Sequence, residues 1–375
     1  MGGTSKLEKA YLKIEKYIHL LFLVPAACFW ARFINHHLIW DEWLYVALAD
    51  GVLKDPLTPL PSDYAWVPHP PLLWYLICLF RPMPRLAILT TSIICLIATS
   101  LIARRLHGPL AANYAIAALL ASWNYITFSL VVFTDMVVAS FMAVSALAFL
   151  AWLERRGDEL LFISSIAYSL ASLSKYTAVP ILLSTFALWL LARRRRLRRA
   201  EIVKAISFLV LANIPLALWI YYLMGITGGN LIGYYSSVYK YEGVAILEDL
   251  AFYACYTLLS IGMPLLLWLK NVKKLGSQEK LIIAYVLINL LFFSSLRTVF
   301  HLYQIYDRYL LPINPLAALM SGKLLAMEEK TSLKASVVFL MFIYLGFLLL
   351  SVHGTFTCAP TYGSVEEILR PPHQG

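Results

Sequence analysis

An acidic pair and a histidine-proline motif stand in the polar stretch that follows the first apolar segment of the chain. Asp41 and Glu42 are adjacent, and His69-Pro70-Pro71 begins 27 residues after Glu42. A carboxylate held at a membrane surface has the chemistry of a general base, which takes the proton of a hydroxyl as a new bond forms. The structural alternative is a pair of helix starts, because acids and prolines both suit a first helical turn. For His69 the residues alone favour that alternative.

The composition predicts an integral membrane protein. The 375 residues are 61% hydrophobic and only 14% charged, with a mean hydropathy of +0.72. A single soluble core cannot bury so much apolar surface. The apolar runs are about 20 residues long, the length of a membrane-crossing helix, and they lack the alternation of barrel strands. We therefore predict an all-α polytopic protein.

Eleven apolar segments have the length and flanking charges of membrane spans. They are residues 17–34, 86–103, 110–130, 136–153, 160–174, 178–192, 202–223, 250–269, 281–296, 309–326 and 333–351. The first is expected to be a retained helix and not a signal peptide, since it is longer than a signal-peptide core. Residues 70–80 are too short to cross and are expected to lie at the interface. Residues 1–351 then form one transmembrane domain, with 35–85 as a long catalytic outer loop and 352–375 as a short outer tail.

The distribution of basic residues sets the expected orientation. With the amino terminus inside, the cytoplasmic loops hold 22 of the 31 Lys and Arg residues but nine of the 21 acids. Positive residues accumulate in short cytoplasmic loops. The run Arg193–Arg199 directly follows a span, so it is interpreted as an inner-leaflet anchor and not as a nucleic-acid site. If residues 70–80 did span, every later loop would change sides.

Polar residues near span ends then emerge on one side of the membrane, the outer side. They are Asp41, Glu42, His69, Asp135, Lys175, Arg297, His301, Asp307 and Arg308. Charges near a bilayer are costly unless they are paired, reach the surface or line an aqueous cavity, so we expect a shared polar cleft. Ordinary alternatives remain for several members: Asp135 as a helix cap, Lys175 as a snorkelling side chain, and Asp307-Arg308 as a local ion pair beside Tyr309 in an aromatic belt.

The five cysteines have no paired spacing, which predicts neither a disulfide framework nor a zinc site. No Walker motif or glycine-rich dinucleotide motif occurs, and the predicted cytoplasmic loops are too short for a sugar-nucleotide domain.

Six motifs carry a family resemblance that extends from about residue 17 to about residue 326. In chain order they are Asp41-Glu42, HPPLLWYL from His69, ARRLHG from Ala103, TDM from Thr134, LSKYTA from Leu173 and DRYLLPINP from Asp307. The chain resembles the protein O-mannosyltransferase and aminoarabinose-transferase group of GT-C glycosyltransferases. The acidic pair together with the HPP motif is the most specific part of the match.

The resemblance implies a helical GT-C fold that transfers a sugar, such as the hexose mannose, from a polyprenyl- or dolichyl-phosphate donor, with inversion at the anomeric carbon. Asp41 would be the base and Glu42 would assist it. His69 would lie near the donor phosphate, and the same cavity would be lined by Asp135, by Lys175 with Tyr176, and by Arg308 with Tyr309. Some relatives bind a divalent metal near the donor, but the sequence offers no ligand set for one.

The expected acceptor is a hydroxyl of a lipid-linked glycan or glycolipid, with a protein as the alternative, because only residues 352–375 follow the last predicted span. The sequence also lacks the WWDYG-type motif of oligosaccharyltransferases, which argues against transfer of a whole oligosaccharide. A different class of function, a multi-helix transporter or a lipid scramblase, would also gather charges inside a membrane. Transporters often show inverted repeats, and none is evident here.

Overall fold

The computed structural model describes residues 11–56, 69–155, 157–227, 243–262, 264–300 and 306–358. Within those ranges the chain is helical and has no strand, which confirms the all-α prediction. The α-helices are α1 Ile18–Phe33, α2 Glu42–Lys54, α3 Leu72–Leu79, α4 Pro84–His107, α5 Pro109–Leu120, α6 Trp123–Phe128, α7 Thr134–Arg155, α8 Asp158–Ser172, α9 Ala178–Arg193, α10 Arg199–Ala212, α11 Ile214–Thr227, α12 Ile246–Ile261, α13 Leu265–Lys270, α14 Ser277–Phe300, α15 Asn314–Met327 and α16 Thr331–Cys358. Short 3₁₀ turns cover Glu15–Tyr17, Arg194–Arg196, Val272–Lys274 and Asp307–Ile313.

Seven helical stretches in the described part of the chain are long and apolar enough to cross a membrane alone. They are Tyr11–Phe33, Pro84–His107, Thr134–Glu154, Arg199–Gly225, Ser277–Val299, Arg308–Met327 and Thr331–Thr357. The other four predicted spans coincide with shorter helices: α5 with α6, α8, α9, and α12 with α13. The chain is thus a multi-pass membrane protein. Helix α3 has eight residues, far below the roughly 20 that a span needs.

Two predicted spans are interrupted. Residues 110–130 were expected to be one helix, but α5 ends at Leu120 and the chain from Ser129 to Phe133 is irregular and buried. Irregular backbone at this depth requires partners inside the protein. Two side chains supply such partners: Glu42 Oε1 accepts from the Val132 N–H at 2.7 Å, and the Ser92 hydroxyl donates to the Ser129 carbonyl at 3.4 Å. The second break, between α12 and α13, follows Gly262, whose φ is 62°.

Helices α7 and α15 form the centre of the bundle, with most of their surface buried. Helix α15 packs closely on α5 at Gly322, where a Cβ atom would lie 2.4 Å from the carbonyl oxygen of Ala111. Small residues allow such backbone approach in membrane proteins. Close packing at Gly322 thus fixes α15 on α5, and the segment Asp307–Ile313 that leads into α15 packs on α7.

The last helix, α16, closes the bundle against the first. At its start, Lys334 Nζ donates to Glu15 Oε1 at 2.8 Å, and the Tyr114 hydroxyl donates to the same oxygen at 2.6 Å. Near its other end, the ring of Phe356 lies 4.7 Å from the guanidinium carbon of Arg85. Helix α16 therefore contacts the polar region at the start of α4 as well as the opposite end of the molecule.

Candidate active site

A tight turn before α2 presents Asp41. The Glu42 N–H donates to the Ile39 carbonyl at 3.1 Å, and Trp40 between them has a φ of 50°, a region that bulky residues rarely adopt. The Trp40 ring stacks on Phe133 with 6.1 Å between centroids. Asp41 is exposed, and its side chain makes no capping bond to the helix that it precedes. The Asp41 carboxylate therefore does not cap α2.

Glu42 is fully buried, and both of its oxygens are occupied. Oε1 accepts from Arg85 Nε at 3.1 Å and from the Val132 N–H at 2.7 Å. Oε2 accepts from Arg85 Nη2 at 2.6 Å and from the Ile39 N–H at 2.6 Å. A carboxylate has about four lone-pair sites, so these four donors saturate it. Glu42 holds the turn before α2 and also binds the irregular segment before α7.

Arg85 completes this cluster from the first turn of α4. Besides its two bonds to Glu42, Nη1 donates to the carbonyls of Phe33 and His36 at 3.0 Å each, and Nη2 donates to the His37 carbonyl at 2.8 Å. All five guanidinium N–H groups thus have an acceptor. The residue is 1% exposed. Arg85 ties the end of α1 to the turn that carries the acidic pair.

A second ion cluster joins three distant parts of the chain. Asp135, in the first turn of α7, is 2.7 Å from Lys175 Nζ through Oδ1 and 3.2 Å from Arg308 Nε through Oδ2. Lys175 lies in the break between α8 and α9, and Arg308 lies in the 3₁₀ turn before α15. Asp135 and Lys175 are both buried. Neither the helix-cap alternative for Asp135 nor the snorkelling alternative for Lys175 fits this buried arrangement.

Aromatic rings enclose the two cations. Lys175 Nζ is 4.4 Å from the centroid of Tyr309, and Arg308 Cζ is 4.0 Å from that of Tyr306 and 4.5 Å from that of Phe133. Tyr309 is buried, in contrast to the aromatic-belt alternative. Such rings stabilise a cation without neutralising it. Two cations therefore share one carboxylate, and the cluster keeps one net positive charge.

Tyr176 belongs to the wall beside this cluster. Its hydroxyl accepts a hydrogen bond from the Trp219 indole at 3.1 Å, and the Trp219 ring meets Trp74 edge to face at 5.9 Å. These contacts join the Lys175 turn to α11 and to the short helix α3.

His69 approaches the same cluster from the start of the HPP motif. The Leu72 N–H donates to the Leu173 carbonyl at 3.1 Å, which fixes the motif against the Lys175 turn. Burial and the nearby Lys175 cation lower the pKa of His69 to about 3, with Arg308 adding to the effect and Asp135 opposing it. The imidazole is therefore neutral at physiological pH and leaves the charge of the cluster unchanged.

The position of Tyr45 shows on which face of α2 Asp41 lies relative to the ion cluster. Residues 41 and 45 are four apart and so share one face of α2. The Tyr45 ring meets Phe133 edge to face at 6.0 Å. Burial raises the pKa of Tyr45, and the nearby carboxylates of Asp135 and Asp41 raise it further. Asp41 thus lies on the face of α2 that is directed toward Asp135.

The comparisons with known proteins agree with this architecture. Residues 68–222 match the family model described as dolichyl-phosphate-mannose-protein mannosyltransferase. The chain is similar to the crystal structure of ArnT from Cupriavidus metallidurans in the apo state, with a TM-score of 0.69 and 16% identity over 91% of this chain and 77% of ArnT. The same ArnT bound to undecaprenyl phosphate gives a TM-score of 0.67, with the same identity and coverage. No curated protein sequence matches the chain significantly.

The chain therefore has the helical membrane fold of ArnT, and residues 68–222 resemble the mannosyltransferase family. Four of the predicted site residues, His69, Asp135, Lys175 and Tyr176, fall inside the matched family segment. The acidic pair and Arg308 lie outside it in sequence, but Arg308 joins the cluster through Asp135.

Not all of the residues predicted for the outer side join the Asp135 cluster through a described contact. Arg297 forms an ion pair with the buried Asp249, which joins α14 to α12. His301 and the side chain of Asp307 lie outside the described part of the structure. Among the described residues, no group of three His, Cys, Asp or Glu side chains is arranged to hold a metal.

Two residues of the site were missing from the sequence prediction. Arg85 lies next to the start of a long apolar run and Tyr45 lies among apolar residues after the acidic pair, and neither position marks a site residue in the sequence. The local signal for Arg85 is its place in Arg81-Pro82-Met83-Pro84-Arg85, where Pro82 lies between α3 and α4 and Pro84 begins α4.

Proposed function

We propose that the chain is a GT-C glycosyltransferase that moves a sugar, such as the hexose mannose, from a polyprenyl-phosphate donor to a hydroxyl of a lipid-linked glycan, a glycolipid or a protein. The observation that carries the proposal is the cluster of Lys175 and Arg308 around the single carboxylate of Asp135. It offers one unbalanced positive charge on the same side of α2 as the exposed Asp41.

The net positive charge of the cluster attracts the phosphate of the donor, and it attracts the phosphate of the released product more strongly. A sugar linked through phosphate to a polyprenol is a phosphodiester with one negative charge, whereas the released polyprenyl phosphate is a monoester that carries more. Cations that bind the departing phosphate therefore gain interaction energy as the bond breaks, and this lowers the barrier. The similarity to ArnT, whose structure has been solved with undecaprenyl phosphate, supports a lipid phosphate as the ligand.

Asp41 is the proposed base. In an inverting transfer the acceptor oxygen attacks the anomeric carbon from the side opposite the phosphate, and the carbon–oxygen bond to the phosphate breaks. The bonding pair leaves with the polyprenyl phosphate, and the acceptor proton passes to the Asp41 carboxylate. Glu42 is unsuited to take that proton because four donors already occupy its oxygens. In this proposal Glu42 assists by fixing the turn that positions Asp41.

The test of the base is Asp41→Asn, which keeps the size of the side chain and removes its basicity. Sugar transfer from a polyprenyl-phosphate donor should fall by about 10²- to 10⁴-fold. Thermal stability and binding of undecaprenyl phosphate should stay near those of the unchanged protein, because Asp41 is exposed. Turnover at the original rate would remove Asp41 from the mechanism. A protein that moves lipid without consuming the donor would instead be a scramblase or a transporter.

We place the site on the extracytoplasmic side of the cell membrane, within residues 35–85 and the span ends that face them. The excess of basic residues in the opposite loops supports this orientation. Helix α3, at eight residues, is compatible with it, because a crossing there would reverse every later loop. Cysteines introduced beside Asp41 and beside Arg196 should react with a membrane-impermeant reagent from opposite sides. Reaction of both from one side would refute the orientation.

A further inference from the structure

A cleft of about 780 Å³ lies on the other side of α2. Its lining comes from three segments: Ile34 to Leu38, Trp43 with Val46 on α2, and Arg81 to Arg85. Residues 43 and 46 share a helix face, whereas residue 45 lies about 200° around the helix from residue 43. Helix α2 therefore separates this cleft from the Asp135 cluster. None of the residues assigned to the donor phosphate lines it.

The cations of the cleft are already neutralised. Arg85 uses all five of its N–H groups on Glu42 and on backbone carbonyls. Arg81 forms an ion pair with Asp50. Because each arginine has its own carboxylate, the cleft has little excess charge to attract a phosphate, in contrast to the Lys175 and Arg308 cluster.

The remaining polar side chains of the cleft are of types that can form hydrogen bonds. Asn35, His36, His37 and Trp43 line the cleft. Burial lowers the pKa of His36, and the neighbouring His37 lowers it further. Within the described part of the chain, His36 Nδ1 and Trp43 Nε1 are buried without a hydrogen-bond partner.

This combination of an indole, imidazoles and an amide matches the chemistry of a sugar. Sugar hydroxyls donate and accept hydrogen bonds, and the apolar face of a pyranose ring packs on an aromatic ring. The volume falls in the range of roughly 300–1,000 Å³ that is typical of small-ligand sites. Leu38 and Trp43 flank Asp41 in the chain, so a sugar in the cleft would lie beside the turn that carries the proposed base.

We propose that this cleft binds a sugar unit of the acceptor. The inference rests on the proposed function and narrows it, because it favours an acceptor that carries carbohydrate over an unmodified protein. Donor and acceptor then occupy opposite sides of α2, with Asp41 on the donor side at the start of the helix, so the acceptor hydroxyl would reach Asp41 past the beginning of α2.

The test measures binding to the full chain in nanodiscs by saturation-transfer NMR, with the methyl glycosides of mannose, glucose and galactose as probes. At least one glycoside should receive saturation. Its dissociation constant should rise about tenfold in Trp43→Ala and less in Trp43→Phe, which keeps an aromatic ring but loses the indole N–H. Lys175→Met should leave glycoside binding unchanged. Tyr221→Ala, at an aromatic residue that is 79% exposed, is the matched control.

Binding of undecaprenyl phosphate, measured on the same samples, separates this inference from the proposed function. Retention of that binding in Trp43→Ala shows that the variant is folded. If undecaprenyl phosphate binds through Lys175 but no glycoside binds through Trp43, the cleft assignment is overturned and the donor assignment stands. If glycosides bind through Trp43 but Lys175→Met does not change the affinity for undecaprenyl phosphate, the donor assignment is overturned and the cleft assignment stands. Displacement of the glycoside by inorganic phosphate would identify an anion site and also overturn the inference.

Discussion

Two buried ion clusters lie next to each other in this membrane protein, and they differ in how completely their charges are satisfied. In the first, Glu42 and Arg85 match one negative with one positive charge, and every donor and acceptor position is filled. In the second, Asp135 faces both Lys175 and Arg308, so one positive charge is left over. We call the Glu42–Arg85 pair the closed cluster, because its charges balance. We call Asp135, Lys175 and Arg308 the open cluster, because its remaining positive charge can bind an anion.

The segment before α7 connects the clusters. The Val132 N–H binds Glu42, and the next residue, Phe133, lies beneath Arg308 and against Trp40. Asp135 follows two residues later. The closed cluster can therefore hold the open one in place. A buried charge that is saturated indicates a structural role, whereas a buried excess of charge indicates a ligand.

Arg85→Met tests the closed cluster and should have the largest effect. It leaves the Glu42 carboxylate buried without its partner, which should lower the free energy of unfolding by about 3–5 kcal/mol. Transfer activity should be lost as well, because the turn at Asp41 is no longer held. Thermal unfolding in detergent and a transfer assay measure the two effects.

The double variant Glu42→Gln with Arg85→Met provides the control. It removes the stranded charge and should recover part of the stability but not the activity. Unchanged stability in Arg85→Met alone would contradict the structural role of the closed cluster.

The sequence predicted these two clusters unequally. Asp135, Lys175 and Arg308 could be identified because charges at the ends of long apolar runs are unusual, and the orientation placed them on one side. Arg85 has the same position relative to its span, but neither hydropathy nor spacing indicates that its side chain is buried. Glu42 was correctly singled out, yet its complete burial depends on contacts 43 and 90 residues away.

The helices were predictable to the extent that apolar length determines them. The positions of the long spans follow from the runs of hydrophobic residues, and α3 was recognised as too short to cross. The irregular stretch from Ser129 to Phe133 was not predictable from hydropathy, because it is as apolar as a helix and is stabilised by Trp30 and Glu42 from elsewhere in the chain. The break near Gly262 had a local signal in the sequence Gly-Met-Pro.

Lys175→Met tests the open cluster. It removes the excess charge but leaves Asp135 paired with Arg308, so stability should fall less than in Arg85→Met. The affinity for undecaprenyl phosphate should fall by about 10- to 100-fold, the value of one hydrogen bond to a charged group. Titration of purified protein with the lipid measures the change. Unaltered affinity would assign the phosphate to another part of the molecule.

Asp135→Asn is the matched variant, because it changes the net charge of the cluster in the opposite direction from Lys175→Met. It raises the net charge of the cluster from one to two, so the apo protein should unfold at a lower temperature while undecaprenyl phosphate stabilises it more than it stabilises the unchanged protein. A smaller stabilisation by the lipid would show that Asp135 takes part in binding by a route other than charge balance.

His69 should give the smallest effect, visible as a dependence of stability on pH. Its pKa is about 3 in the folded protein and about 6.5 in the unfolded chain, so between these values the unfolded chain binds the additional proton. Stability should therefore fall as the pH drops below 6.5, by at most about 1.4 kcal/mol for each unit. Comparison of unfolding temperatures at pH 7.5 and 5.5 should show a smaller loss in His69→Asn than in the unchanged protein.

Bound undecaprenyl phosphate should also reduce this loss of stability at low pH, because an anion held by Lys175 and Arg308 favours protonation of the neighbouring imidazole. An equal loss with and without the lipid would place the phosphate away from His69 and leave the open cluster without its proposed ligand.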